Sequence, residues 1–135
     1  MSLCFMFRRG PCGLGGLRQR GRHRVICDDA LRRETYMSLL GTTQAQMGFA
    51  DVPYNVPING HVSGQGRRRH PEFPMASGEM SELEFTEFLG RAFTLMAQYS
   101  TDGAIQCICM DWRHQGELLR ASAAVHGKPK NLCVC

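Results

Sequence analysis

The fold is decided by one stretch, Met47-Gly48-Phe49-Ala50-Asp51-Val52-Pro53-Tyr54-Asn55-Val56-Pro57. The apolar residues at its start predict a short buried strand, which the prolines and asparagine after it end. Asp51 then lies at the carboxyl end of the strand, and Pro53 keeps the following turn from pairing as a central strand. In open α/β sheets, ligands bind in the crevice outside the carboxyl ends of the strands. The stretch therefore predicts a hydrogen-bond acceptor, a stiff turn and an aromatic ring at a binding edge.

The patterns on either side of this stretch predict an α/β fold with a mostly parallel sheet. Ser81 and Glu84 form a capping box, so the amphipathic pattern that follows predicts a helix. The apolar run before Asp111 lacks a polar face, as expected for a buried central strand. The predicted elements are strand 24–27, helix 31–40 ended by Gly41, strand 47–50, helix 82–98 after a long loop over 55–78, an Asp102-Gly103 turn, strand 104–110, helix 113–125 and a last strand over 132–135.

The composition is that of one ordinary globular domain. The chain has 135 residues, 43% hydrophobic and 21% charged, with a formal net charge of +4. Six arginines and no acidic residue occur in residues 1–24, which leaves ten basic and twelve acidic residues in the rest. Seven cysteines without a recognisable signal peptide favour a reducing cytoplasm. No stretch approaches the ~18 apolar residues of a membrane span.

Two segments are predicted to lack regular structure. Residues 1–23 are rich in Gly and Arg without a helical or strand period, and we predict a basic, disordered arm ahead of a domain over 24–135. The loop over 55–78 follows a predicted strand and contains Arg67, Arg68 and Arg69. Long loops of this kind are usually functional or disordered, and arginines can contact nucleic-acid phosphates. A solvated basic tail and a solvated loop are the alternatives at these two places.

Several motifs together resemble one enzyme family. Asp51-Val52-Pro53-Tyr54 resembles the (Asp/Asn/Ser)-Pro-Pro-(Tyr/Phe) signature of the AdoMet-dependent DNA amino-methyltransferases, which act on adenine N6 or cytosine N4. The segments 27–31, 54–62, 76–80 and 110–114 also resemble the branch in which the catalytic motif precedes the cofactor loop. The resemblance covers about residues 24–134. It implies a Rossmann-like methyltransferase three-layer fold that is incomplete at the C-terminus.

The resemblance implies a site-specific DNA methyltransferase, with adenine N6 favoured. The side chain of Asp51 and the backbone carbonyl of Val52 would accept hydrogen bonds from the exocyclic amine, on a turn fixed by Pro53. Such acceptors stabilise the charge that develops on nitrogen in the transition state. The target base would be flipped out of double-stranded DNA and stacked on Tyr54. Asp29 would lie near the adenosine end of the cofactor, S-adenosyl-L-methionine.

The chain departs from the family pattern in two ways. Val52 replaces the first proline of the signature, so the turn loses one fixed φ angle. The Phe-x-Gly cofactor loop, which lies C-terminal to the catalytic motif in this branch, does not occur in the sequence. We therefore expect a truncated catalytic half with weak or no activity on its own.

Two other classes of function compete with this interpretation. One is a nucleic-acid-binding remnant without catalysis. The other is a metal-binding module formed by the two C-x-C pairs, Cys107-x-Cys109 and Cys133-x-Cys135, because thiolates are zinc ligands. Both pairs lie in apolar strand patterns, where a buried cysteine is common, so no metal ligand is assigned.

Overall fold

The computed structural model describes residues 15–57 and 76–134 of the chain. Its architecture is mixed α/β, with two short two-stranded sheets and three α-helices in the described residues. In chain order the elements are β1 (Gly16–Arg20), β2 (His23–Cys27), α1 (Arg33–Leu40), β3 (Ala45–Asp51), α2 (Glu82–Gln98), β4 (Ser100–Cys109), a 3₁₀ turn (Trp112–His114) and α3 (Gln115–Val125).

The centre of the fold is the parallel pair of β3 and β4. The two strands are joined through α2, so they form a βαβ unit. Their register places Phe49 opposite Cys107 and Asp51 opposite Cys109. The strand predicted at 47–50 is confirmed and runs to Asp51. The turn predicted at Asp102-Gly103 does not precede the strand, because both residues lie inside β4, which begins at Ser100; the pairing with β3 does shift register there, and Gly103 has φ 77°.

The strand predicted at residues 24–27 corresponds to β2, and it does not join this parallel pair. β2 was predicted to enter a parallel sheet through a βαβ unit, and instead it pairs antiparallel with β1. The prediction that residues 1–23 lack regular structure is wrong for Gly16–Arg20, and residues 1–14 lie outside the described part. Every residue of β1 is exposed, so the strand has no alternation of apolar and polar residues that would predict it. The turn that joins it to β2 consists only of Gly21 and Arg22.

Helix α2 supplies most of the core, and its start is fixed by the predicted capping box. The Ser81 side chain accepts from the Glu84 N–H at 3.3 Å, and the Glu84 carboxylate accepts from the Ser81 N–H at 2.9 Å. The apolar face of α2 packs against α3, β3 and Tyr36 of α1. The buried cluster consists of Tyr36, Ala50, Ala76, Phe85, Phe88, Leu89, Ala92, Phe93, Met96 and Ala121.

The first helix also ends where its sequence predicts. Gly41 has φ 63°, a left-handed conformation that glycine adopts without a steric penalty, and its N–H donates to the Met37 carbonyl at 2.9 Å. The start predicted at residue 31 is two residues early, because Leu31 belongs to the turn between β2 and α1.

One face of the parallel pair is apolar and largely exposed. Ala50 lies in the core cluster and Ile108 packs against it, whereas Met47, Phe49 and Ile105, which alternate with them, are substantially exposed. The prediction of β4 as a strand buried on both faces is therefore wrong for Ile105. Among the described residues, the helices cover only the opposite face of the pair, so a strand that is apolar on both sides keeps one side open.

Two further predictions differ from the structure near the C-terminus. The helix predicted over 113–125 begins as a 3₁₀ turn at Trp112 and becomes α-helical at Gln115. The strand predicted over 132–135 is absent in Leu132–Val134, which have no strand pairing, and Cys135 lies outside the described residues. None of the described helices is both long enough and apolar enough to cross a membrane.

A histidine–glutamate pair joins the 3₁₀ turn to α3. His114 Nδ1 and Glu117 Oε1 lie 2.8 Å apart, and the Glu117 side chain is buried. The His114 ring also packs edge-on against Phe85 of α2, with ring centroids 5.2 Å apart. Burial alone would raise the pKa of Glu117, but the hydrogen bond to His114, a backbone hydrogen bond and the nearby charges of His114 and Arg120 together hold that pKa below its usual value.

This pair makes stability depend on pH in a defined direction. Because the pKa of Glu117 is lower in the folded protein, its contribution is complete above the unfolded pKa of about 4.3 and disappears as pH falls through the lowered folded pKa. We expect Glu117→Gln to lower the free energy of unfolding by about 1–2 kcal/mol at pH 7 and by much less at pH 3. Urea unfolding at the two pH values measures this difference.

Glu87→Gln is the matched control, since Glu87 is an exposed glutamate on α2. Its effect should stay within about 0.5 kcal/mol at both pH values. A Glu117→Gln penalty that is equally large at pH 3 and pH 7 would contradict the proposed role of the charged carboxylate.

Candidate functional site

The carboxyl ends of β3 and β4 lie side by side and carry two of the predicted site residues, Asp51 and Tyr54. Asp51 ends β3 directly opposite Cys109, which ends β4. Adjacent strands are about 4.8 Å apart, so the residues that follow the two strands emerge close together. These are Tyr54 on one side and Asp111 with Trp112 on the other. The parallel register therefore joins two segments that are about sixty residues apart in the chain.

Tyr54 and Asp51 are joined by a short hydrogen bond from the Tyr54 hydroxyl to the Asp51 carboxylate. Burial, this hydrogen bond and the nearby charge of Asp51 raise the pKa of Tyr54, with smaller contributions from Cys109 and Asp111. The phenol is therefore a neutral donor at any physiological pH. The hydrogen bond brings the predicted acceptor and the predicted aromatic residue into direct contact.

Val52 and Pro53 fix the turn between these two side chains. Pro53 is buried and Val52 packs against the core cluster, so the backbone of the turn is anchored on its inner side. Asp51 is exposed at the end of the strand, and Tyr54 is only partly buried. The turn thus presents its polar groups outward from an apolar base.

On the β4 side, Asp111 holds Arg113 in place. The Arg113 guanidinium contacts both carboxylate oxygens of Asp111 at 3.0 Å, and the Arg113 N–H donates to Asp111 Oδ1 at 2.9 Å. These hydrogen bonds outweigh the effect of burial and keep the pKa of Asp111 below its usual value, so it is a carboxylate at neutral pH. The guanidinium in turn lies over the Trp112 ring, with Cζ 4.9 Å from the ring centroid.

Asn55 is a structural determinant of the site that sequence reasoning missed. Its Nδ2 donates to the Met80 carbonyl at 2.8 Å, and its Oδ1 accepts from the N–H groups of Gly78 and Met80 at 3.1 and 3.2 Å. Asn55 is buried and has φ 54°. The available signal was the residue type itself, because asparagine tolerates the left-handed region and bonds to nearby backbone.

The segment bound by Asn55 is itself tightly closed. The Glu79 carboxylate accepts from the N–H groups of Ala76 and Ser77, at 2.5 and 2.6 Å. Burial would raise the pKa of Glu79, but these backbone hydrogen bonds lower it below the usual value. At Gly78, which has φ 97°, a Cβ atom would lie 2.7 Å from Pro57 Cδ, so a larger residue does not fit there. Residues 76–80 therefore support the turn after β3.

The predicted cofactor residue, Asp29, lies at the end of β2 in the turn before α1. Its Oδ1 accepts from the Leu31 N–H at 2.8 Å, and its carbonyl accepts from the Thr35 hydroxyl at 2.7 Å. Asp29 also contributes to the raised pKa of Tyr36, after the larger effect of burial. The described structure shows no direct contact between Asp29 and the Asp51–Tyr54 pair. Its observed role is to shape its own turn.

The remaining candidate residues are less informative. Arg67, Arg68 and Arg69 lie outside the described residues. Within residues 15–57 and 76–134, no group of three or more His, Cys, Asp or Glu side chains is placed to hold a metal ion. Cys107 and Cys109 lie in β4, Cys133 is exposed in the segment after α3, and Cys135 lies outside the described part.

Two substitutions separate the contribution of the Asn55 side-chain hydrogen bonds from that of its positive φ angle. We expect Asn55→Gly and Asn55→Ala both to destabilise the protein, because each removes three hydrogen bonds to Gly78 and Met80. Asn55→Ala should be worse by about 1 kcal/mol, since alanine is also strained at positive φ. Urea unfolding measures both values. Asn131→Ala, which removes one exposed asparagine bond to Leu132, is the control; an Asn55→Gly protein as stable as this control would contradict the assignment.

Comparison with protein-family models, curated proteins and solved structures finds no match to this chain. The chemistry of the site therefore has to be inferred from its own residues, of which Asp51, Tyr54, Asp111 and Trp112 lie at one edge of the parallel pair.

Proposed function

We propose that this chain carries the base-binding turn of an AdoMet-dependent DNA amino-methyltransferase. Its substrate would be the exocyclic amine of a base flipped out of double-stranded DNA, with adenine N6 favoured by the family resemblance. The observation that carries the proposal is the placement of Asp51 at the carboxyl end of β3, in contact with Tyr54. Within the proposal, the βαβ unit of β3, α2 and β4 is part of a Rossmann-like sheet.

The residue types suit an amine substrate. The nitrogen of an exocyclic amine is a poor nucleophile because its lone pair is delocalised into the ring. The Asp51 carboxylate and the Val52 carbonyl would accept its two N–H groups and draw the nitrogen toward a pyramidal, more nucleophilic geometry. Fixed acceptors of this kind act mainly by stabilising charge that develops in the transition state. The apolar anchoring of Val52 and Pro53 holds these acceptors in position.

Tyr54 would have two successive roles. Before the base enters, its hydroxyl occupies one oxygen of the Asp51 carboxylate. The incoming amine would replace that hydroxyl as the donor, so the carboxylate keeps its hydrogen bond throughout. The released ring would then stack on the base, as aromatic side chains do with flipped nucleotides.

Among the described residues, Asp29 is the one suited to contact the methyl donor. When bound, S-adenosyl-L-methionine supplies an electrophilic methyl group. Asp29 offers a partly buried carboxylate at a strand end, a residue type suited to the ribose hydroxyls of an adenosine. Asp29 Oδ1 accepts from Leu31, so its other oxygen would take this contact.

A methyl-transfer assay tests the proposal directly. The chain would be incubated with isotopically labelled AdoMet and unmethylated DNA, and the product nucleosides separated. We expect weak transfer to adenine N6. Asp51→Ala should lower it by about 10²–10³-fold, the usual effect of removing one such hydrogen-bonding group. Tyr54→Phe should retain most of the activity because the ring remains.

Asp51→Asn is the matched control, because it keeps an acceptor oxygen in the same position. We expect it to retain clearly more activity than Asp51→Ala. Labelled methyl groups on a ring carbon, or transfer that Asp51→Ala leaves unchanged, would show that the Asp51 turn does not bind a reacting amine.

A second candidate, nucleic-acid binding without catalysis, is favoured by the β1–β2 hairpin. This antiparallel ribbon carries Arg18, Arg20, Arg22 and Arg24 and has no acidic residue between Gly15 and Cys27. Arg18 lies opposite Val25 and Arg20 opposite His23, so these residues share one exposed face. Arg24 instead donates to the Leu39 carbonyl at 3.2 Å and holds the ribbon against α1. A two-stranded ribbon is narrow enough to enter the DNA major groove.

Salt dependence tests whether this ribbon contacts DNA phosphates. Each phosphate contact adds about 0.9 to the slope of log affinity against log salt concentration. We expect the combined Arg18→Ala and Arg20→Ala variant to reduce that slope by nearly two, measured by fluorescence anisotropy with duplex DNA. Arg91→Ala, which removes an exposed arginine from α2, should leave the slope almost unchanged. An equal reduction from Arg91→Ala would mean that the ribbon has no special role.

A further inference from the structure

Trp112 is the most exposed aromatic side chain among the described residues. The core rings Phe85 and Phe93 are completely buried, whereas Trp112 is 73% exposed. It is the only tryptophan in the chain. A side chain with this much apolar area normally contributes by burial, so its exposure at one edge of the molecule indicates a contact surface.

The exposed indole is also held in position. Arg113 covers one face of the ring at 4.9 Å and is itself fixed by two hydrogen bonds to the Asp111 carboxylate. A cation–π contact of this type stabilises one orientation of the ring. With Arg113 in this position, Trp112 is still largely exposed to solvent. Holding the ring in advance reduces the entropy lost when a planar ligand stacks on it.

The position of Trp112 relates it to the proposed site. Asp51 and Cys109 are paired in register at the ends of β3 and β4. Tyr54 lies three residues after Asp51, and Trp112 lies three residues after Cys109. The two aromatic residues therefore follow neighbouring strands by the same number of residues, at the same edge of the parallel pair.

The charges around the ring select the part of a nucleotide that would bind. Asp51 and Asp111 are acidic, and Arg113 is already paired with Asp111. This edge offers no unpaired cation among its described residues, so it does not attract phosphate. It does offer an exposed aromatic ring, on which any nucleobase can stack.

We propose that the exposed ring of Trp112 is a stacking platform for an unpaired nucleobase of DNA, adjacent to the base held by Asp51 and Tyr54. The inference rests on the proposed function, because it takes DNA as the partner. The stacked base would be a neighbour of the flipped base or its former pairing partner, and stacking would compensate part of the energy lost when the duplex is opened. No covalent step occurs at this platform.

The single tryptophan makes a direct measurement possible. Intrinsic fluorescence of the full chain would be titrated with a single-stranded oligodeoxyadenylate of about twelve nucleotides and with an abasic oligomer of the same length and charge. We expect saturable quenching by the oligodeoxyadenylate and almost none by the abasic oligomer. Equal quenching by both, or none by either, overturns the proposal. Quenching that depends only on the protein concentration would identify a contact between copies of the chain and would also overturn it.

Variants provide the second readout, through anisotropy of a labelled oligodeoxyadenylate. Trp112→Ala should weaken binding by about ten-fold or more, and Trp112→Phe should recover much of the loss, because a base can still stack on the phenyl ring. Leu83→Ala is the control, since Leu83 is an equally exposed apolar residue, on α2. Unchanged affinity in Trp112→Ala would overturn the platform.

The two proposals fail in different ways. Base-dependent quenching at Trp112 together with methyl transfer that does not depend on Asp51 would retain the platform and remove the amine-binding role. Methyl transfer that depends on Asp51, without quenching at Trp112, would retain the enzyme and remove the platform.

Discussion

The parallel pairing of β3 with β4 is the constraint on which the rest of the structure depends. Parallel strands place their carboxyl ends at the same edge, and the register sets Asp51 opposite Cys109. A shift of one residue would turn Ala50 away from the core and Phe49 into it, because side chains alternate between the two faces. The buried cluster on α2 therefore fixes the register, and the register fixes which polar residues meet. The packing of the core therefore also determines which residues form the site.

A second constraint acts after the strand ends. The turn from Asp51 to Tyr54 leaves the sheet, so ladder hydrogen bonds no longer position it. Pro53 and Val52 anchor it on the apolar side, and Asn55 attaches it to residues 76–80. That segment precedes the capping box at Ser81, and the start of α2 is thus tied to the end of β3. The turn is held at both ends by elements that belong to the core, which is how an exposed site can be rigid.

The sequence was sufficient where a local pattern and the tertiary structure agree. Ser81 and Glu84 define the start of α2, Gly41 ends α1, and the apolar run before Asp51 forms a strand. The sequence was insufficient where partners decide the outcome. Nothing in residues 24–27 shows that β2 pairs with β1 rather than with β3, because strand pairing is non-local and β1 has no apolar face. Residues 104–108 include apolar side chains on both sides of the strand, yet Ile105 is exposed. The sequence shows that a side chain is apolar, but not whether another element covers it.

The site shows the same division between local and non-local information. That Asp51 and Tyr54 would meet could be expected, because they are three residues apart on a stiff turn. Asn55 could not be assigned, since its three hydrogen bonds join it to residues more than twenty positions away.

The hydrogen bond between Tyr54 and Asp51 also limits how the site can work. A carboxylate that already accepts from a phenol gains little when another donor simply replaces that phenol, since one hydrogen bond is exchanged for another. Under the proposed function, tight binding of a base would then come from the Tyr54 ring that the exchange releases and from other stacking surfaces at the same edge. We propose Trp112 as such a surface; Arg113 and Asp111, which follow the adjacent strand β4, hold its ring. The acceptors would thus select the amine, while the aromatic rings would supply most of the affinity.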